Sequence, residues 1–156
     1  MESVYLETTI FSYLVARPSR DVVVAGHQQT TADWWARRRA DFVCVVSDFL
    51  ITEISRGDAA PSTARLRLVE GLPLLQTTPE ALQLAARFVA AGAVPQAAQA
   101  DALHLALAVA AQVNYLLTWN CKHLANAQLI GHMQEVAQQA GRRLPVICTP
   151  DELMGD

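Results

Sequence analysis

The run Asp41-Phe42-Val43-Cys44-Val45-Val46-Ser47 is apolar at nearly every position and rich in β-branched residues, and a helical pattern from Ser47 to Arg56 follows it at once. A strand with one wet face alternates apolar and polar residues. A continuous apolar run therefore predicts a strand buried on both faces, the condition of a parallel sheet covered by helices. The same succession recurs along the chain. Ser3-Val4-Tyr5-Leu6 reads as a strand, and Glu7-Thr8-Thr9 offers capping residues for a helix carrying Ile10, Phe11, Tyr13 and Leu14. Arg17-Pro18 ends that helix, and Asp21 caps a second one running through Trp34 and Trp35 to the arginines.

Further on, Ala60 to Glu70 reads as a helix, Leu72 to Leu75 as a brief strand, and Thr78-Pro79 as the cap of a helix reaching Ala91-Gly92. Pro95 to Gln112 is helical by its Ala and Leu content, and Asn114 to Trp119 is a central-looking strand. A helix from Ala127 to Ala140, a strand over Pro145 to Cys148 and a turn opened by Thr149 close the chain. Strands alternating with helices imply a parallel sheet with helices on both faces, and ligands in such folds sit beyond the C-terminal strand ends. That rule selects Glu7, Ser47 and Asn120.

A length of 156 residues with 52% hydrophobic content suits one domain, 1–156, with a core that needs no staples. The apolar runs are broken well short of the roughly 18 residues that a membrane span needs. The N-terminus lacks a basic lead and apolar stretch, so the expected address is cytoplasmic. Cys44, Cys121 and Cys148 are odd in number and widely spaced, as reduced thiols would be. A net charge of −3 argues against coating nucleic acid by bulk electrostatics, so any RNA contact needs localised cations. Arg37, Arg38, Arg39 and Lys122 are the candidates for RNA binding, with Trp34 and Trp35 beside the arginine run. A solvated helix end is the plainer alternative for that run.

Glu7 follows the first strand, Glu53 lies about two turns into the helix after the second, and Asp101 stands alone in the apolar segment Ala100-Asp101-Ala102-Leu103-His104-Leu105. Taken singly, these are ordinary roles: a cap, a solvated helix face, and an early-helix acid favoured by the dipole. Three carboxyl groups and the Asn120 amide at one sheet edge would repel unless a divalent cation neutralised them. Oxygen ligands of this kind suit Mg2+ or Mn2+, and the chemistry such ions support is phosphodiester hydrolysis without a protein nucleophile. His104, three residues after Asp101, shares a helical face with it and is within reach for a hydrogen bond or for protonating a leaving group, although a partly buried helix histidine is the plainer alternative. Cys121, His123 and His132 lack the paired spacing of a zinc site, and Ser47 lacks the Gly-x-Ser-x-Gly elbow of a serine nucleophile.

Four stretches in order resemble the PIN domain of VapC-type toxins. They are Val4-Tyr5-Leu6-Glu7-Thr8-Thr9, Leu50-Ile51-Thr52-Glu53-Ile54, Asp101-Ala102 with Ala106 and Ala108, and Leu116-Leu117-Thr118-Trp119-Asn120. The resemblance spans nearly the whole chain and implies a PIN-like three-layer α/β/α sandwich with a mostly parallel sheet of four to five strands. It further implies a Mg2+- or Mn2+-dependent ribonuclease, a homodimer, and a small antitoxin partner. Carried over by position, Glu7, Glu53, Asp101 and Asn120 form the metal site, with Thr9 supporting the first acid. Two positions depart from the pattern, since the first is usually Asp where this chain has Glu7, and the fourth is often Asp where it has Asn120. A PIN-like module that binds RNA or a protein without cutting is the alternative those departures favour.

Overall fold

Five short strands, β1 (Ser3–Leu6), β2 (Val43–Ser47), β3 (Leu74–Leu75), β4 (Tyr115–Leu117) and β5 (Val146–Cys148), pair in the order β3-β2-β1-β4-β5 in a computed structural model that describes residues 1–155. Every pairing is parallel, with Tyr5 opposite Val45 on one side and Leu116 on the other. The sheet is thus wholly parallel rather than mostly so. Seven α-helices connect and cover it: α1 (Thr8–Val15), α2 (Val22–Arg37), α3 (Asp48–Ile54), α4 (Ala59–Val69), α5 (Pro79–Ala90), α6 (Gln99–Ala110) and α7 (Ala127–Gln139).

Strand alternation divides the core into two layers. Val4 and Leu6, Cys44 and Val46, and Leu117 point to one face, where Ile10, Phe11, Trp34, Leu50, Ile54 and Val69 from α1 to α4 cover them. Tyr5, Val45 and Leu116 point to the other, under Leu84, Phe88, Leu105, Met133 and Val136 from α5, α6 and α7. The result is a three-layer α/β/α sandwich. Local signals start the helices where the chain chemistry requires. Asp21 accepts from the amides of Val23 and Val24, Ser47 from Leu50, Thr78 from Ala81, and Asn126 from Gln128. No helix among the described residues is long and apolar enough to cross a membrane.

Several elements are shorter than the sequence implies. β2 starts at Val43, not Asp41, because Arg39–Asp41 wind into a 3-10 turn tied by the Arg38–Asp41 ion pair at 3.1 Å. α6 starts at Gln99, not Pro95, since Pro95 to Ala98 closes a turn through the Ala98 amide and the Pro95 carbonyl, and Ala98 itself is not helical. β4 covers only Tyr115–Leu117, and β3 only Leu74–Leu75.

The chain lays strands outward from β1 through β2 to β3, then returns to the other side of β1 for β4 and β5. The order reverses between β1 and β4, the place where a crevice opens beyond the strand ends in sheets of this kind.

Candidate active site

Glu7 leaves the end of β1, its amide continuing the ladder by donating to the Leu117 carbonyl at 3.1 Å. It occupies the N-cap position of α1, yet its side chain makes no capping bond and is turned instead toward the reversal between β1 and β4. Only 4% of the residue is exposed. A buried carboxylate needs donors, and two threonines supply them: Thr9 and Thr118 each donate a hydroxyl to Glu7 Oε1 at 2.6 Å. Both hydroxyls also accept a loop amide, Thr9 that of Trp119 and Thr118 that of Asn120, each at 2.9 Å. The strand end, the first turn of α1 and the loop after β4 are therefore locked around one carboxylate oxygen.

Glu53, in the last turn of α3, reaches the same edge. Its Oε1 accepts from the Thr8 hydroxyl and from His104 Nε2, both at 2.5 Å. Partial burial pushes the Glu53 carboxyl up, but the His104 hydrogen bond and charge, the Thr8 bond and the Arg56 charge outweigh it and hold the group below its ordinary value. Of the two sequence readings of His104, the buried helix histidine is the one the structure shows, and its carboxylate partner is Glu53, not Asp101. α6 turns His104 inward, 1% exposed, against α3 and β1, where its Nδ1 meets the Tyr5 hydroxyl at 2.7 Å and Tyr5 meets Ser47 Oγ at 2.8 Å. Ser47 also caps α3, so its hydroxyl is spent on structure. Burial and the neighbouring acids push the Tyr5 phenol far up, which keeps it a neutral link in this chain.

Asp101 stands in the first turn of α6 and pairs with another residue, His123, whose Nδ1 lies 2.9 Å from Asp101 Oδ2. The backbone amide of His123 donates to Asn120 Oδ1 at 2.9 Å. The four residues singled out in the sequence are thereby joined in two strings. Glu7, Thr118, Asn120, His123 and Asp101 make one, while Glu53 is bound to Thr8, the neighbour of Glu7, and to His104 from the helix of Asp101. Sequence reading missed Thr8, Thr118, His123 and Tyr5 as partners. The only signal was position, since Thr8 and Thr118 each flank a strand end.

In all three acids one carboxylate oxygen carries the protein hydrogen bonds, and the other, Oε2 of Glu7, Oε2 of Glu53 and Oδ1 of Asp101, takes none among the described residues. Among those residues no three His, Cys, Asp or Glu side chains are gathered into a group that could hold a metal ion. The donor chemistry nonetheless suits a hard cation: oxygen ligands, with the nearby thiol, Cys121, exposed and unbonded. Asn120 Oδ1 keeps one acceptor position after bonding His123.

The arginine run lies away from the acids. α2 delivers Arg37, Arg38 and Arg39 to the N-terminal end of β2, opposite the acids, because a helix that enters a parallel strand must end at that strand's start. There Arg38 lies 5.9 Å from the Phe42 ring centroid and Phe42 meets Tyr115 at the start of β4, while Arg39 stacks over Trp35 at 4.2 Å. Trp34 is fully buried, its indole N–H bonded to the Leu153 carbonyl. Lys122, by contrast, is exposed in the loop beside Asn120 and pairs with no carboxylate among the described residues.

No family model and no curated protein matches the sequence. Among solved structures the chain is similar to VapBC2 from Rickettsia felis, crystallised bound to a DNA fragment from its promoter, with 12% identity, a TM-score of 0.61, and coverage of 94% of this chain and 97% of that one. It is also similar to VapC20 of Mycobacterium tuberculosis, described as a sarcin-ricin loop cleaving toxin, with 14% identity, a TM-score of 0.59, and coverage of 78% and 92%. At such identities the likeness is one of fold, and the chain has the fold of VapC-type PIN domains.

Proposed function

We propose that this protein is a Mg2+- or Mn2+-dependent endoribonuclease that hydrolyses RNA phosphodiester bonds, acting as the toxin of a toxin–antitoxin pair. The observation that carries the reading is the way Glu7, Glu53 and Asp101 are held, each with one oxygen anchored by protein donors and the other without a protein partner among the described residues. Anchoring of that kind fixes a ligand's orientation and leaves its second oxygen for an ion. The fold supports it, since VapC20, similar in fold, is described as a sarcin-ricin loop cleaving toxin.

Glu7, Glu53, Asp101 and Asn120 would hold the cation. When bound, it would supply an activated water and neutralise charge developing on the phosphate. The chain's own part is positional. Thr9 and Thr118 hold Glu7, Thr8 and His104 hold Glu53, and His123 holds Asp101, so each acid enters the reaction already oriented. Lys122, exposed next to Asn120, attracts the RNA backbone to this edge. In this reading the protein works in the cytoplasm as a homodimer, restrained by a small antitoxin.

A pool of labelled RNAs incubated with the protein in Mg2+ or Mn2+, with EDTA and Asp101→Asn as controls, tests the reading. Cutting that needs the ion and disappears in the variant is the expected result. RNA left intact at every ion concentration would overturn it. The second reading, a module that binds RNA or a protein without cutting, would then stand, and one observation favours it: Asp101 and Asn120 are both engaged by His123 rather than drawn toward the other acids.

A further inference from the structure

Between α3, α5 and α6 a cavity of about 400 Å3 opens beside Glu53. Its walls are largely apolar, formed by Phe49 of α3, Leu82 and Val89 of α5, and Leu103 of α6. Leu82 is 54% exposed, a large aliphatic group held at the lip and not in the core. Two polar wall residues, Arg56 and Gln99, are exposed, and their side chains have no hydrogen-bond or ion-pair partner among the described residues.

We infer that this cavity receives one nucleobase of the RNA strand, that of a nucleotide adjoining the phosphate to be cut, and so sets a base preference. The inference rests on the ribonuclease reading. Its volume falls in the range of small-molecule sites, which combine apolar walls with a few oriented polar groups. Single-stranded RNA is read by splayed bases lying on apolar or aromatic surfaces, with their edges hydrogen-bonded. Arg56 offers a fork of donors, and the Gln99 amide offers a donor and an acceptor, the equipment for such an edge.

Charge selects this occupant over others. An apolar side chain from a protein, or Leu82 of a second copy, would cover Arg56 and Gln99 without satisfying them, and buried polar groups left unpaired count against binding. An anionic strand carrying a polar-edged ring satisfies both. Position agrees, because Glu53 is shared between the cavity wall and the acidic edge.

Ala86 lies on the cavity wall and is exposed on α5, so Ala86→Trp fills the space without disturbing the core. Wild type, Ala86→Trp and Gln99→Ala are used to cut a random-sequence RNA pool, and the new ends are sequenced. Each protein is also titrated in EDTA with short RNAs differing at one base, followed by amide NMR shifts and sedimentation. Wild type should favour one base class beside the cut by about tenfold or more, as expected for one stacked and hydrogen-bonded base. Ala86→Trp should flatten that preference while its spectrum stays folded.

Full preference in Ala86→Trp overturns the inference and leaves the nuclease standing. If no RNA is cut, the EDTA titration decides alone. Base-dependent shifts at Gln99, Ala102 and Leu103 support the base site although the nuclease reading fails, and their absence overturns it. A change in sedimentation with unchanged preference would assign the cavity to a second copy and overturn it too.

Discussion

His104 Nε2 lies 2.5 Å from Glu53 Oε1, a contact between a side chain 1% exposed and one that reaches the open edge of the sheet. An ionised carboxylate only accepts, so Nε2 carries the hydrogen, and when the ring bears that hydrogen alone its Nδ1 accepts from Tyr5, which accepts in turn from Ser47. The chain Leu50 amide, Ser47, Tyr5, His104, Glu53 runs in one direction, every donor aimed toward Glu53. His104→Ala should lower stability by about 1–3 kcal/mol in denaturant unfolding, because the Tyr5 hydroxyl is left buried without its acceptor. RNA cutting and Mg2+ affinity, the latter by calorimetry, should fall further in His104→Ala than in His104→Gln, which retains a donor. Cutting at the wild-type rate in His104→Ala would detach this chain from the site.

Thr9 and Thr118 converge on a single oxygen of Glu7. Thr118→Val keeps the shape, removes one hydroxyl from that carboxylate and deprives the Asn120 amide of its acceptor. A cost of about 1–3 kcal/mol is expected. Thr9→Val should behave similarly through Trp119, and the double variant should be non-additive because the two share one acceptor. Unfolding curves of the four proteins in the cycle measure the coupling, and strict additivity would show that the two bonds act independently.

Asp48, at the start of α3, ties that helix to the segment after β3 by accepting from the amide and hydroxyl of Thr77. Desolvation pushes its carboxyl up, but the Thr77 bonds prevail and hold it below 3.8, its ordinary value. A group whose folded pKa is depressed adds stability above its unfolded pKa and loses it as pH falls through the folded value. Wild type should therefore lose stability as pH drops below about 4, with part of that slope missing in Asp48→Asn. Identical acid-unfolding profiles for the two proteins would contradict the assignment.

The two groups of cations should separate in RNA binding. Lys122→Ala should weaken binding and reduce the slope of log affinity against log salt by about 0.7, one single-strand phosphate contact. Arg37→Ala, at the opposite end of the sheet, should change neither. Filter binding across a salt series measures both, and a weakened Arg37→Ala would place an RNA surface on the far side.

Much of the architecture was already legible along the chain. The apolar run of β2, the caps Asp21 and Thr78, and the repeated strand-to-helix succession all act within a few residues, so local physics specified a parallel sheet and put Glu7, Ser47 and Asn120 at its strand ends. Element boundaries were less legible because Pro95 and the Arg38–Asp41 pair act through turns whose geometry composition does not report. Tertiary structure alone decided the partners. His104 bonds Glu53, 51 residues away, and Thr118 bonds Glu7, 111 residues away, contacts that exist because β4 and α6 fold back beside β1. It also sent Arg37, Arg38 and Arg39 to the wrong end of the sheet for the acids. A helix leading into a parallel strand must finish at that strand's beginning, so the direction of the sheet, not the charge of the run, determines which edge those arginines face.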